Sequence, residues 1–224
     1  MDLLEAIKAR HSVRSYTDKK IEGKVLKEMR DSIYGCNRES RLNIQLCLNE
    51  PKAFTGMMAR YGKFRNVKNY IALVGKKRDD FDEKCGYYGE KLVLKARQLG
   101  LNTCWVALSY NKAKSKNAIT INPGEKLLMV IAIGYGETNG VPRKVKSIEE
   151  LCQVNGDMPR WFQLGMEAAQ LAPTARNQQK FKFELVKNKV RASAGSGFYT
   201  KVDLGIAKCH FEIGAGESNW QWEK

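Results

Sequence analysis

Two short, strongly apolar segments constrain the fold more than any other feature of the sequence. Residues 69–75 read N-Y-I-A-L-V-G, and residues 127–134 read L-L-M-V-I-A-I-G. Each segment has the length of a single β-strand, is rich in β-branched side chains and is bounded by polar residues or glycine. Such segments predict strands that are buried on both faces and need other elements to cover them.

Amphipathic helices are predicted around these strands. Apolar residues recur at three- and four-residue spacing in five segments: residues 3–7, 25–33, 88–99, 161–171 and 202–213. Gly100 is placed to cap the third of these helices, and Pro173 ends the fourth. Further strands are predicted near residues 104–108 and 180–185, whereas residues 34–54 give a weak pattern and are predicted to be irregular. Alternating helices and strands indicate an α+β or α/β domain.

Composition is that of a folded protein without a membrane anchor. The chain has 224 residues, enough for one domain or for two small lobes that share a core. No apolar run approaches the roughly 20 residues of a membrane helix, and the N-terminus does not have the pattern of a signal peptide. Six cysteines without any C-x-x-C pair indicate free thiols in a reducing cytoplasm, and with only two histidines a zinc site is not expected.

The net charge of +15 favours anionic partners without choosing among them. Nucleic acid, a phosphate-bearing cofactor or an acidic membrane surface would each be attracted. Because the lysines are spread along the chain and form no stripe with interleaved aromatic residues, a nucleic-acid groove is not favoured. A solvated basic surface accounts for most of these charges.

The first candidate site is the segment R-H-S-V-R-S-Y at residues 10–16. If the segment is extended, Arg10, Ser12 and Arg14 lie on one side of it, and His11 lies within the same motif. Two guanidinium groups and a hydroxyl are the donors that a phosphate dianion needs. Taken alone, such a segment is more often a solvated basic turn.

The second candidate site is the segment A-P-T-A-R-N-Q-Q at residues 172–179. Pro173 halts a helix, and the residues that follow it, Thr174, Ala175, Asn177 and Gln179, offer small side chains, a hydroxyl and amides to a planar heterocycle. The alternative is an ordinary helix-terminating turn with an asparagine cap.

A third, basic segment follows the strand at residues 127–134. Lys144 and Lys146 alternate there and could reach a phosphate together with Arg10 and Ser12. The alternative is a basic surface loop.

Taken together, these segments resemble the nitroreductase family. Residues 4–21 resemble its N-terminal helix and R-x-S-x-R run, and residues 166–186 resemble its A-P-S-x-x-N-x-Q-P-W motif. Residues 89–108 are similar to its central helix and following strand, and residues 134–151 to its late strand and basic segment. The resemblance implies an α+β fold in which a central, mostly antiparallel sheet is flanked by helices.

The resemblance also implies a cofactor and assigns residues to it. Arg10, His11, Ser12 and Arg14 would hold the phosphate and ribityl chain of FMN, with help from Lys144 and Lys146. Residues 173–175, Asn177 and Gln179 would border the flavin ring. NADH or NADPH would supply electrons, and because the flavin carries the chemistry, no side chain is assigned a catalytic role.

The order of the motifs departs from that of the family and predicts two related halves. The A-P-S-x-x-N motif usually follows the first helices closely, but here residues 34–40 hold at best a degenerate version, and the good copy comes late. Residues 202–211 also resemble a second copy of the helix near Tyr87. We therefore predict a first half over residues 1–150 and a shorter second half over 151–224, packed as a single-chain pseudo-dimer; a homodimer is the alternative. Lys180 and Phe181 replace the family's proline and tryptophan.

The predicted function is an FMN-dependent oxidoreductase. It would pass electrons from NAD(P)H to small organic acceptors such as nitroaromatics or quinones. The alternative is a non-catalytic protein that binds flavin or nucleotide, or a basic protein associated with nucleic acid.

Overall fold

The computed structural model describes residues 1–217 and 220–223. Its α-helices are α1 (Leu3–Ala9), α2 (Gly23–Ser40), α3 (Met57–Tyr61), α4 (Phe81–Gln98), α5 (Lys112–Lys116), α6 (Ile148–Leu151), α7 (Arg160–Ala169) and α8 (Thr200–Ala215). Its strands are β1 (Gln45–Cys47), β2 (Tyr70–Lys76), β3 (Asn102–Val106), β4 (Glu125–Gly134), β5 (Cys152–Val154), β6 (Phe181–Val186), β7 (Lys189–Ala194) and β8 (Gln221–Trp222). Two short 3-10 helices span Pro51–Phe54 and Ala175–Asn177.

The strands form two four-stranded sheets. The first has the order β1-β2-β4-β3 and is antiparallel throughout. The second has the order β5-β6-β7-β8, with an antiparallel pair at its centre and a parallel pair at each edge. The predicted α+β class, with antiparallel sheet and flanking helices, is confirmed.

The strands predicted at residues 69–75 and 127–134 are also confirmed. Strands β2 and β4 pair with each other, with Ile71 opposite Ile131, and both strands are buried along most of their length. The predicted helix cap is present as well. Gly100 has a φ of 78° and its N–H donates to the Arg97 carbonyl at 3.1 Å. Glycine is favoured there because a left-handed backbone costs other residues free energy.

The prediction that residues 34–54 are irregular is wrong. Helix α2 continues to Ser40 and ends at Arg41, whose φ is 60°, and β1 follows shortly afterwards. The buried side of α2 has helical spacing: Met29, Ile33, Cys36 and Ser40. Polar residues between these positions made the helical pattern hard to recognise in the sequence. One of them, Asn37, makes a tertiary contact, since its side chain forms two hydrogen bonds with the backbone of Ile44.

The chain divides into two compact units. Unit 1 comprises residue 1, Ala9–Phe81 and Lys91–Pro142 and contains the first sheet. Unit 2 comprises Asp2–Lys8, Asp82–Glu90 and Arg143–Lys224 and contains the second sheet. The related halves proposed over residues 1–150 and 151–224 stay a prediction.

The core of unit 1 lies on the first sheet. Tyr70 and Val130 are fully buried there, and both belong to one cluster of buried apolar residues. The ring of Phe54 packs on that of Tyr70 with centroids 6.2 Å apart. Because strands β2 and β4 are covered on both faces, this sheet is a rigid support for the segments at its ends.

The core of unit 2 lies where α7 and α8 meet the second sheet. Phe211 of α8 stacks on Phe183 of β6, with ring centroids 5.0 Å apart and planes 20° from parallel. Gly165 of α7 allows this packing, since a Cβ there would lie 2.6 Å from the Phe211 ring. Trp161 and Trp220 stack beside these rings with centroids 5.8 Å apart.

Within unit 2, helix α8 crosses the start of α4 at two glycines. A Cβ at Gly86 would lie 2.0 Å from the Val202 carbonyl oxygen, and a Cβ at Gly205 would lie 2.0 Å from the Glu83 carbonyl oxygen. In each helix the glycine follows the contacted carbonyl by three residues. The crossing is therefore locally symmetric, and only glycine permits the backbones to approach so closely.

Several other properties bear on function. Within residues 1–217 and 220–223, no helix is long and apolar enough to cross a membrane. The same residues contain no group of histidine, cysteine or acidic side chains arranged to hold a metal ion. All six cysteines are buried free thiols.

Candidate functional site

The phosphate end, defined as Arg10, His11, Ser12 and Arg14, lies in unit 1. After α1 the chain runs extended beside β3, with Ser12 opposite Thr103 and the Val13 N–H donating to the Thr103 carbonyl at 3.0 Å. On the other side, the Arg65 N–H donates to the Arg14 carbonyl at 2.9 Å. The backbone of this segment is thus held from both sides.

Three side chains of the phosphate end act on one buried thiol. Burial raises the pKa of Cys104, and the Arg14 guanidinium, a hydrogen bond with Ser12 and the Arg10 guanidinium act in the opposite direction. The Arg10, Ser12 and Arg14 side chains are therefore near the same thiol. Arg10 is only 3% exposed, whereas Ser12 and Arg14 are exposed. A phosphate would find charged and neutral donors together here.

The loop after β4 supports the phosphate end. Gly140 has a φ of 75°, and a Cβ there would lie 2.7 Å from the Cβ of His11 and 3.1 Å from the Ser12 carbonyl oxygen. The Gly136 N–H donates to the Asn102 side chain at 3.1 Å. The closeness of Gly140 to His11 could not be predicted from local spacing, because the two residues are far apart in the sequence.

The ring loop, defined as residues 173–179, lies in unit 2 after α7. Three of its residues that are not glycine have left-handed backbone, with φ of 53° at Arg176, 55° at Asn177 and 46° at Gln179. Each such residue costs about 1–2 kcal/mol, so the surroundings must hold the loop in place. Strain of this kind is concentrated at binding and active sites in proteins.

Lys144 and Lys146 are part of the support for the ring loop. The Lys144 carbonyl accepts hydrogen bonds from the amides of Asn177 at 2.9 Å and Gln179 at 3.3 Å. The Lys146 N–H donates to Gln179 Oε1 at 2.8 Å, and its ammonium donates to the Gln179 carbonyl at 3.2 Å. Thr174 completes the network, since its hydroxyl accepts the Gln179 N–H at 3.0 Å. Two segments predicted separately are therefore one structure within unit 2.

Asp203 anchors the ring loop and was missed by sequence reasoning. Its carboxylate accepts the Ala175 N–H at 2.9 Å and the Gln178 side-chain amide at 2.7 Å. Burial raises the pKa of Asp203 to about 6, although both hydrogen bonds oppose that shift. An acidic residue on the apolar side of α8, next to Val202 and near Ile206, is the signal that could have found it.

A buried histidine–carboxylate pair joins three helices of unit 2. His210 Nε2 lies 2.9 Å from Glu90 Oε1, and His210 Nδ1 lies 3.1 Å from the Ala168 carbonyl oxygen. Because a carbonyl only accepts, Nδ1 carries a proton, and Nε2 and Glu90 share a second proton. Both side chains are fully buried, so the pair is part of the helix packing of unit 2.

The sequence matches a known protein family along nearly its whole length. A family model described as "Putative TM nitroreductase" matches residues 2–215. The chain belongs to this family. The matched region includes the phosphate end and the ring loop, and membership in a nitroreductase family places the protein among the oxidoreductases.

Solved structures with the same fold are more distant in sequence. A nitroreductase of Thermotoga maritima is 24% identical, with a TM-score of 0.68 over 95% of this chain and 83% of that chain. A nitroreductase of Desulfovibrio desulfuricans in complex with FMN is 19% identical, with a TM-score of 0.54 over 71% of this chain and 99% of that one. At such identities these similarities show the fold alone. Among curated proteins, none shows significant similarity to this sequence.

Proposed function

We propose that the protein is an FMN-dependent oxidoreductase that passes electrons from NADH or NADPH to small organic acceptors such as nitroaromatics or quinones. The observation that carries this proposal is the family match across residues 2–215, which includes both candidate segments. The FMN complex of the Desulfovibrio desulfuricans nitroreductase supports the choice of cofactor.

The phosphate end fits the phosphate of FMN by its chemistry. Arg10 and Arg14 supply charged donors and Ser12 a neutral one, all near Cys104. A hydrogen bond from such a charged donor contributes about 1.5–3 kcal/mol. His11 lies beside these residues against Gly140, and Lys144 and Lys146 would add positive charge.

The ring loop fits a planar heterocycle. Asn177 is exposed, and although its amide donates to Lys144, its Oδ1 has no partner among the residues that the structure describes. That oxygen can accept from an N–H of the ring. Pro173, Thr174 and Ala175 would border the ring, and Gln179 would keep the loop in shape, since it is 5% exposed and tied to Lys144 and Lys146.

FMN supplies the hydride chemistry when it is bound. The chain's own contribution is orientation and charge. Arg14 would provide the positive charge that favours an anionic reduced ring, and the ring loop would hold the ring in one orientation. No side chain is assigned as a general acid or base.

The symmetric crossing of α4 and α8 supports the proposal that the chain is an internally duplicated pseudo-dimer. Gly86 and Gly205 occupy equivalent positions in it, as expected if the two helices descend from one. Sedimentation of the flavin-loaded protein would test this: a monomer with one FMN per chain agrees, whereas a stable homodimer contradicts it. The six buried free thiols suit a reducing compartment, and we propose that the protein acts in the cytoplasm.

The binding roles are tested by titrating the protein with FMN and with riboflavin, which lacks the phosphate. We expect FMN to bind more tightly than riboflavin, and Arg14→Ala to weaken FMN binding about tenfold, the loss of one charged hydrogen bond. Arg30→Ala, an exposed arginine of α2, is the matched control. Equal affinities for FMN and riboflavin, or an unchanged Arg14→Ala variant, would contradict the assignment. Flavin that stays oxidised with either nicotinamide donor would indicate the non-catalytic alternative.

A further inference from the structure

Unit 1 contains a basic pocket that the flavin proposal does not use in full. Its volume is about 520 Å³, and it is lined by Arg14, Ser15, Arg60, Lys63, Phe64 and Arg65. We call it the basic pocket. It has four cations and, among the residues that the structure describes, no carboxylate in its lining. Clefts of this size are typical of small-molecule sites.

The backbone around the pocket is fixed by specific contacts. Arg60 lies in the last turn of α3, and its carbonyl accepts the Lys63 N–H at 2.9 Å. Lys63 has a φ of 57°. Gly62 is required between them, since a Cβ there would lie 2.5 Å from the Cβ of Ser109 and 2.8 Å from the ring of Phe64. The cations are therefore presented by an ordered turn.

The opposite wall is tied to the phosphate end. The Arg65 side chain donates from Nε to the Ser15 hydroxyl at 3.2 Å, and its N–H donates to the Arg14 carbonyl at 2.9 Å. This leaves the remaining guanidinium nitrogens of Arg65 for another acceptor. Arg14, Arg60 and Lys63 form no ion pair with any carboxylate of residues 1–217 and 220–223.

An aromatic surface lies among these cations. Phe64 is partly exposed, and its ring is held edge-on by Phe54 with centroids 5.2 Å apart. Guanidinium groups match phosphate with paired hydrogen bonds, and a planar base packs well on an aromatic ring. Because several cations without a carboxylate suit a dianion better than a single negative charge, a nucleotide phosphate monoester fits the pocket best.

We propose that the basic pocket binds the adenosine 2′-phosphate part of NADPH. This rests on the proposed function, in which a nicotinamide donor reduces the flavin. NADPH carries this phosphate monoester and NADH does not, so the protein would prefer NADPH, with Arg60 and Lys63 as specificity-determining residues. Arg14 is shared with the phosphate end and is left unchanged in the test for that reason.

The first test measures binding alone. Calorimetric titration of the flavin-loaded protein with 2′,5′-ADP and with 5′-ADP compares nucleotides with and without the 2′-phosphate. We expect 2′,5′-ADP to bind at least tenfold more tightly, and Arg60→Ala and Lys63→Ala each to reduce that difference about tenfold, as loss of one charged hydrogen bond would. Added salt should also weaken the binding of 2′,5′-ADP. Arg30→Ala, on α2 and outside the pocket, should behave as the unsubstituted protein.

The second test measures kcat/KM with each donor under anaerobic conditions. We expect the ratio of NADPH to NADH to fall about tenfold in Arg60→Ala and in Lys63→Ala. A ratio near one in the unsubstituted protein, or a ratio that both variants leave unchanged, overturns the inference while leaving the flavoenzyme intact. If the variants instead reduce kcat/KM for a nitrobenzoate relative to nitrobenzyl alcohol, the pocket takes an anionic acceptor and the inference is wrong. If neither donor reduces the flavin, the proposed function is wrong. The binding of 2′,5′-ADP still tests whether the basic pocket recognises a 2′-phosphate.

Discussion

The phosphate end and the ring loop are built in different ways. Residues 10–14 are extended, without any left-handed residue among them, and present side chains from a segment held by β3. The ring loop instead places its backbone through three left-handed residues and depends on Asp203, Lys144 and Lys146. Charge recognition can thus be supplied by local sequence, whereas recognition of a ring edge depends on a tertiary network. We expect the ring loop to be the more fragile of the two.

The largest effect is expected from Asp203→Ala. The Ala175 N–H would lose its acceptor and the Gln178 amide would keep only the Phe198 carbonyl, and an unsatisfied buried group costs about 1–3 kcal/mol. FMN affinity should fall on the order of 100-fold, as measured by fluorescence titration. Asp203→Asn keeps one acceptor and should lose less. If Asp203→Ala binds FMN normally, the ring loop keeps its conformation without Asp203. The ring loop would then be no more fragile than the phosphate end.

The stability of the protein is expected to depend on pH through the carboxyl group of Asp203. Burial raises the pKa of Asp203 to about 6, above its value in an unfolded chain, so the folded protein binds the proton more tightly. The resulting stabilisation is complete below about pH 4 and is lost as the pH rises through 6, a change of about 3 kcal/mol. Denaturant unfolding between pH 4 and pH 7 would measure it. Asp203→Asn should remove this slope, and an identical pH profile in the variant would show that the carboxylate is not responsible.

A smaller effect is expected at the phosphate end from Gly140→Ala. The left-handed backbone and the close approach of His11 should cost about 1–2 kcal/mol of unfolding free energy. FMN should lose more affinity than riboflavin because the phosphate end shifts. Gly35→Ala is the control: a Cβ there meets nothing within 4 Å, and alanine in helix α2 should stabilise the protein by about 0.5–1 kcal/mol. Equal losses for FMN and riboflavin would argue against a local effect.

The smallest effect is expected from Arg176→Gly. Glycine relieves the left-handed strain but adds chain entropy to the unfolded state, so the net gain should be about 0.5–1 kcal/mol. Lys187→Gly, with a φ of 59° between β6 and β7, should give the same gain outside the site. Thermal unfolding would measure both. A loss of stability in Arg176→Gly alone would mean that the arginine side chain itself supports the ring loop.

The sequence predicted what depends on local pattern. Strands β2 and β4 follow from apolar composition, and the helix before Arg10 follows from its apolar spacing. Strand β7 was not predicted, because its less exposed side carries only one large apolar residue, Val190, beside two alanines. Its formation depends on pairing with β6.

The missed site residues are tertiary partners. Asp203 follows Ala175 by 28 residues, and Glu90 precedes His210 by 120. No local pattern connects Asp203 with Ala175 or Glu90 with His210. Asp203 and Glu90 are polar residues that are buried in the folded protein. The left-handed backbone at Arg176, Asn177 and Gln179 could not be predicted either, since none of these residues is glycine.

The proposal that the protein binds FMN and reduces it is tested by the visible spectrum of the purified protein. The spectrum is recorded after equilibration with FMN and removal of the excess, and again after NADPH or NADH is added without oxygen. We expect a retained flavin spectrum that bleaches on addition of the donor and returns when a quinone or nitroaromatic is supplied. A protein that emerges colourless, or one whose flavin bands persist with both donors, would contradict it.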